Sequence, residues 1–235
     1  MSEFLGTMVM IFTGVMVSIA VALRKADQAV GALGWACAVF AGASIGDHSG
    51  AHLNPAITLA QVLTGGIVWK QVPFYLCGQF FGACAGAAFA AMVFWTELRE
   101  RREQKDLVGW FATVSRVSYV QAVVIEALCT TVLVAWILDS PRSYVAGGVF
   151  NFGNSGLGYL GVALIVFMLC LAAGGQTGAA LNPVRDLGPR IIYSLLFRTR
   201  GYPTAGWKYA WVPVVGPLIG AMGGVGMSYV LQSSI

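Results

Sequence analysis

The sequence predicts an all-α membrane protein, with six transmembrane helices and two re-entrant half-helices arranged as an inverted repeat. Three observations carry that prediction. Of the 235 residues, 57% are hydrophobic and only 10% are charged, against about a quarter charged in a soluble domain. Apolar runs cover residues 4–23, 29–46, 71–96, 117–138, 156–174 and 209–235, each near the roughly 20 residues that a bilayer-crossing helix needs. The stretch Ser49-Gly50-Ala51-His52-Leu53-Asn54-Pro55-Ala56 returns 128 residues later as Thr177-Gly178-Ala179-Ala180-Leu181-Asn182-Pro183-Val184.

The first run follows Glu3 and has neither a basic leader nor a cleavage site, so it is expected to stay as a helix. After the second run comes the first copy of the repeat. Asn54 stands at a helix N-cap and Pro55 at the first helical position, with an apolar run of about 11 residues before Gly65-Gly66. At about 1.5 Å per residue this helix is roughly 16 Å long, half of a hydrocarbon core of about 30 Å. Two such helices meeting N-terminus to N-terminus cover one depth and bring Asn54 and Asn182 together near the midplane. Non-helical backbone at that depth is tolerated only where it is buried in protein or lines a water-filled passage. The boxes Asn54-Pro55-Ala56 and Asn182-Pro183-Val184 therefore imply a pore.

The third run carries Gly78, Gly82 and Gly86 and the sixth carries Gly216, Gly220 and Gly224, spacings that let helix backbones approach closely inside a bundle. Glu126 lies early in the fourth run, 123 residues after Glu3. The chain thus reads as a single channel domain of two three-span halves, about 1–98 and 117–235, joined by a polar loop. Three spans is an odd number, so the second half must enter the membrane inverted. A carboxylate inside a membrane calls for a reason. Glu3 and Glu126, one per half, are placed to accept hydrogen bonds from the N–H groups of the unwound segments. A proton relay is the alternative, but no string of Asp, Glu and His accompanies them.

Little else in the chain suggests chemistry. The five cysteines, Cys37, Cys77, Cys84, Cys129 and Cys170, lie in apolar runs without CxxC spacing and are expected to be small buried packing residues. The only histidines, His48 and His52, belong to the first re-entrant loop. His52 is replaced by Ala180 in the second copy, which suits a loop-fixing imidazole, and Asp47-His48 suits a solvated mouth. No metal-ligand spacing and no nucleophile–base pair is present, so neither catalysis nor a cofactor is expected. The net charge of +4 leaves no nucleic-acid footprint.

Arg185 is the sharpest residue. It lies three positions past Asn182, one turn into a half-helix within the membrane, where a guanidinium is expensive unless it faces water. Its counterpart in the first half is Ile57. A fixed cation at a narrow aqueous constriction repels cations, including hydronium, and donates hydrogen bonds to a passing hydroxyl. Asp186 is expected to anchor the loop. The unwound segments 50–53 and 178–181, with Gly50, Ala51, His52, Gly178, Ala179 and Ala180 as their ladder, leave carbonyls without helical partners. A solute that both donates and accepts hydrogen bonds passes; an ion does not.

Paired boxes of this kind in an inverted six-span repeat resemble the major intrinsic proteins, the aquaporin family, over essentially the whole chain. The stretch Gly175-Gln176-Thr177-Gly178-Ala179-Ala180-Leu181-Asn182-Pro183-Val184-Arg185-Asp186-Leu187-Gly188-Pro189-Arg190 is similar to the glycerol-facilitator (aquaglyceroporin) branch, whose second box is followed by Arg-Asp. The resemblance implies a selectivity filter of Trp35, Cys170, Ala179 and Arg185, with Trp35 reached through a one-residue shortening near residues 46–48. Water-selective members carry a His on the fifth span and this chain does not. That favours glycerol and similar polyols, with water also passing. Ala179 is smaller than the aromatic often found in this branch, and Val184 replaces the usual Ala. The alternatives are a water-dominant channel, a broad channel for urea, metalloid acids or peroxide, and a coupled secondary transporter.

The resemblance also implies a homotetramer in a lipid bilayer, cytoplasmic termini and a plasma-membrane location. The loop charges pull the other way. Arg24, Lys25, Arg99, Arg101, Arg102, Lys105, Arg198, Arg200 and Lys208 follow the odd-numbered spans, while Lys70 and Arg142 follow the even-numbered ones. By the positive-inside count the N-terminus would lie outside. The stretch 99–105 is interleaved with Glu97, Glu100, Glu103 and Asp106, and the orientation implied by the resemblance is taken.

Overall fold

The computed structural model describes residues 1–101, 103–139, 157–197 and 201–233. Arg102, Arg142, Arg198 and Arg200 of the charge count, Gly156 and the last two residues of the sixth run lie outside the described residues. The described helices are α1 (Ser2–Arg24), α2 (Gln28–Gly46), α3 (Pro55–Leu63), α4 (Val72–Val93), α5 (Trp95–Glu100), α6 (Tyr119–Asp139), α7 (Leu157–Thr177), α8 (Pro183–Phe197) and α9 (Val212–Ser233). Six are long and apolar enough to cross a membrane: α1, α2, α4, α6, α7 and α9. The protein is an integral, multi-pass membrane protein. The half-helices are α3 and α8.

Local chemistry sets the boundaries. Lys25 closes α1 in the left-handed conformation (φ 51°), and the Asp27 side chain caps α2 by accepting the N–H of Ala29 at 2.7 Å. α3 is nine residues long, shorter than the sequence suggests, because Thr64 already leaves helical geometry and Gly65 follows at φ 78°. The third span also stops early. Phe94 breaks it, and the short α5, which no apolar period announces, takes up Trp95 onward.

The glycine triplets lie on seams inside the bundle. A Cβ on Gly82 would stand 2.4 Å from the carbonyl oxygen of Phe4 in α1, and one on Gly220 would stand 2.4 Å from that of Ala127 in α6. Each close pair, α1 with α4 and α6 with α9, thus forms the backbone of one half. The half-helices cross over: α3 packs on α9 and α8 packs on α4. Ala56 and Ala60 of α3 bury against Val134, Ala221 and Val225 of the second half. Val184, Tyr193 and Phe197 of α8 join the core that contains Ala83 and Ala87 of the first. This exchange brings the two boxes to one place.

The outer surface is apolar: Phe74 and Val120 are each 76% exposed, as suits side chains bathed in lipid. The cysteine expectation needs correction. Cys37 and Cys77 are exposed on the flank of the bundle, and Cys84, Cys129 and Cys170 are half-buried. A thiol is apolar enough to sit on a lipid-facing flank as readily as in a core, so an apolar run does not say which way it points.

Candidate functional site: two interlocked boxes and a conduit

Each asparagine works in two directions. The Asn54 side-chain oxygen accepts the N–H of Ala56 at 2.9 Å and so caps its own half-helix. Its Nδ2 donates across to the carbonyl of Leu181 at 2.8 Å. Asn182 mirrors it, accepting from the N–H of Val184 at 3.1 Å and donating to the carbonyl of Leu53 at 2.8 Å. The half-helix N-termini are thus tied tip to tip, with both dipoles presenting their positive ends to the same point. One N–H of each carboxamide is used in the tie and each carboxamide has a second. Of the carbonyls of residues 50–53 and 178–181 expected to be open acceptors, those of Leu53 and Leu181 are occupied by these bonds.

The segments leading into the boxes are held in an unusual shape. Ala51, Leu53, Ala179 and Leu181 all have φ between 44° and 55°, a region that costs a non-glycine residue about 1–2 kcal/mol. Two buried carboxylates hold it. Glu3 accepts the N–H groups of His52 and Leu53 at 2.9 and 2.8 Å, and Glu126 accepts those of Ala180 and Leu181 at 3.0 and 2.8 Å.

Around them the halves differ. Glu3 also accepts from Ser49 Oγ at 2.6 Å, as Glu126 does from the matching Thr177 hydroxyl, and, without a match in the second half, from Gln79 Nε2 at 2.7 Å. Gln79 donates as well to Thr58 Oγ1 at 2.9 Å, and His52 Nδ1 lies 3.1 Å from the same hydroxyl. In the second half the position of Thr58 is taken by Asp186. It accepts from Thr113, backbone N–H at 2.8 Å and hydroxyl at 2.5 Å, and pairs with Arg190 at 2.7 Å. Arg190, fully buried, donates onward to the carbonyls of Thr113 and Ala205. Gln79, Thr58 and Arg190 carry no signal in the internal repeat, because the other half holds different residues at the matching places, and Thr113 lies in the loop that joins the halves.

A cavity of about 140 Å³ runs beside the boxes. Its wall joins Asn54, Asn182, Arg185, Trp35, Cys170 and Ala179 with Gly50, Ala51, His52 and Ala180, and it is mostly apolar, with Val39, Ile57, Leu133 and Val166 among its members. Polar groups and hydrocarbon thus share one narrow space. Arg185, 9% exposed, lays its guanidinium over the Trp35 ring, 4.1 Å from the centroid. Its Nη1 reaches the carbonyl of Phe111 at 3.5 Å. Gly178 does not line this cavity, and a Cβ there would stand 3.0 Å from Thr113. Pro55, Ala56, Pro183 and Val184 pack behind the wall. At the Asn54 end Tyr159, also in the wall, donates to Asp47 at 2.5 Å.

Six crossing helices and two half-helices that meet beside a mostly apolar passage with a few convergent polar groups define a pore-forming membrane protein. The chain belongs to the major intrinsic protein family, whose match runs over residues 1–229. It is 38% identical to a glycerol uptake facilitator protein of Bacillus subtilis over 231 residues, covering 95% of this chain and 81% of the relative. To a glycerol uptake facilitator protein of Streptococcus pneumoniae it is 37% identical, covering 93% of each chain. The X-ray structure of the aquaglyceroporin from Plasmodium falciparum superposes with a TM-score of 0.84 at 27% identity, over 99% of this chain and 96% of that one.

Proposed function

We propose that this protein, acting as one channel unit with halves 1–98 and 117–235, conducts glycerol and related small neutral polyols passively, together with water, and excludes ions and protons. The observation that carries the reading is the pairing at the constriction of Arg185 with the Trp35 face, 4.1 Å apart. A polyol has hydroxyls on one edge and C–H bonds on the other. It fits a passage that offers N–H donors and free carbonyls on one side and an indole with aliphatic side chains on the other. A cation meets a fixed guanidinium and two positive helix ends, with too few free carbonyls to replace its water. The spare N–H of each asparagine turns a passing water oxygen toward the boxes, which interrupts a continuous proton-conducting chain. The names of the relatives, glycerol uptake facilitators and an aquaglyceroporin, support the same permeant.

Reconstitution into proteoliposomes tests this. Glycerol-driven reswelling well above that of protein-free vesicles, and indifferent to an imposed proton gradient, is the expected result. Uptake that needs the gradient contradicts it. Cys170 and Ala179 put two small residues in the wall beside Trp35 and Arg185, which favours breadth among neutral solutes, so urea measured alongside glycerol is expected to pass as well. The apolar flank suits lipid and sister subunits. A homotetramer in the plasma membrane with cytoplasmic termini completes the proposal, and native mass spectrometry and accessibility labelling of Lys25 and Lys70 from either side test it.

A further inference from the structure

We propose that Ser18, on α1, is a positioning residue that sets the aperture of the constriction through Trp35; the inference rests on the glycerol-channel reading and deepens it. Trp35 presents its ring to the conduit and its back to α1. Gly14 lies behind the ring: a Cβ there would stand 2.4 Å from Cζ3 and 2.6 Å from Cε3, so the indole can sit this deep only over a glycine. Four residues on, Ser18 Oγ accepts the indole N–H at 2.9 Å. Residues four apart share one face of a helix, so Gly14 and Ser18 form one socket. The glycine fixes the depth of the ring and the serine fixes its rotation.

The pore side gives the ring much less support. Cys170 and Ala179 share the wall with Trp35, and neither is large enough to brace an indole. What the ring meets there is the Arg185 guanidinium, 4.1 Å from its centroid. The plane of Trp35 is therefore set from behind, and that plane is the surface on which Arg185 lies. With its N–H committed to Ser18, the indole turns no donor of its own to the conduit: the guanidinium stacked on it meets the hydroxyls, and the carbon backbone slides against the apolar wall around the pair, Val39, Leu133 and Val166 among it. Without the serine hydroxyl the N–H lacks a partner, and the ring turns to find one in the conduit. Arg185 then loses its flat support. Glycerol, which needs both surfaces at once, suffers more than water, which needs only the donors.

The test measures glycerol and water permeability on the same proteoliposomes. Ser18→Ala is expected to lower the glycerol-to-water ratio about two- to tenfold, the range carried by one neutral hydrogen bond. Ser18→Thr, which keeps the hydroxyl, is expected to restore it. In a Trp35→Phe background, where there is no N–H to hold, Ser18→Ala should have no further effect. An unchanged ratio in Ser18→Ala, equal losses of water and glycerol, or an undiminished effect in the Trp35→Phe background overturns the inference while leaving the channel reading in place. A wild type that passes water but no glycerol overturns the channel reading and this inference with it.

Discussion

Replacing Glu126 with glutamine changes one atom and should disable the second half of the pore. Glu126 is fully buried, and its two oxygens accept the N–H groups of Ala180 and Leu181 at 3.0 and 2.8 Å. Glutamine has the same shape but only one acceptor, so its NH2 group must face one of those N–H groups. That peptide N–H is left unpaired in the interior, at about 1–3 kcal/mol, and the remaining bond falls from a charged to a neutral one, a further loss of about 1 kcal/mol. The sum, about 2–4 kcal/mol, acts on a segment whose neighbours Ala179 and Leu181 sit at φ 44° and 55° and gain about 1–2 kcal/mol each by relaxing. Once Leu181 relaxes, its carbonyl leaves Asn54 Nδ2, now 2.8 Å away, and the tie between the half-helices opens. For a chain of this size the melting point should fall roughly 4–16 °C. Osmotic swelling at matched protein content should lose most of its glycerol and water components together. A Glu126→Gln protein that melts and conducts like the wild type would refute the role given to both carboxylates.

The other predictions concern separate parts of the pore. Glu3→Gln should be more damaging than Glu126→Gln, since Glu3 also receives Gln79, while the Ser49 bond has its match in Thr177 beside Glu126; comparing the two melting points checks this. Arg185→Val should lower the glycerol-to-water ratio and raise proton conductance above that of protein-free vesicles, as read with a trapped pH dye; a silent dye counts against the guanidinium as the barrier. Ala179→Val places a β-branched residue at φ 44°, where branching adds strain beyond what alanine already bears, so it should lower the melting point and slow glycerol more than water in paired permeability assays. Gly220→Ala forces a Cβ to within 2.4 Å of the Ala127 carbonyl oxygen and should part α6 from α9 at a cost of about 1–3 kcal/mol, visible as a lower melting point in detergent.

The parts of this structure that the sequence made legible are those the chain states twice. The two boxes, the glutamates 123 residues apart and the matched glycine triplets each point to one half through the other, and their inverted meeting follows from counting spans. Arg185 was legible for the opposite reason, because a charge at that depth has no counterpart in Ile57. What stayed hidden is what the halves do not share. Gln79 corresponds to Pro217, Thr58 to Asp186 and His52 to Ala180, so the polar supports on either side were built separately and have no repeat to betray them. The cross-donation from each asparagine to the opposite leucine carbonyl is a tertiary contact over 127 and 129 residues, which local spacing cannot encode. The outward turn of Cys37 and Cys77 is hidden for a plainer reason: in a membrane both faces of a helix are apolar, so hydropathy does not separate core from flank.

The central claim is that glycerol travels past the Arg185 guanidinium stacked on Trp35, and past two asparagines tied tip to tip. A high-resolution structure of the protein equilibrated with glycerol measures this directly. Glycerol should lie in the conduit with hydroxyls on Arg185 and its carbon chain against the apolar wall beside Trp35, the Asn54–Leu181 and Asn182–Leu53 bonds intact. Glycerol found only outside that passage, or Arg185 turned away from it with the two asparagines apart, would contradict it.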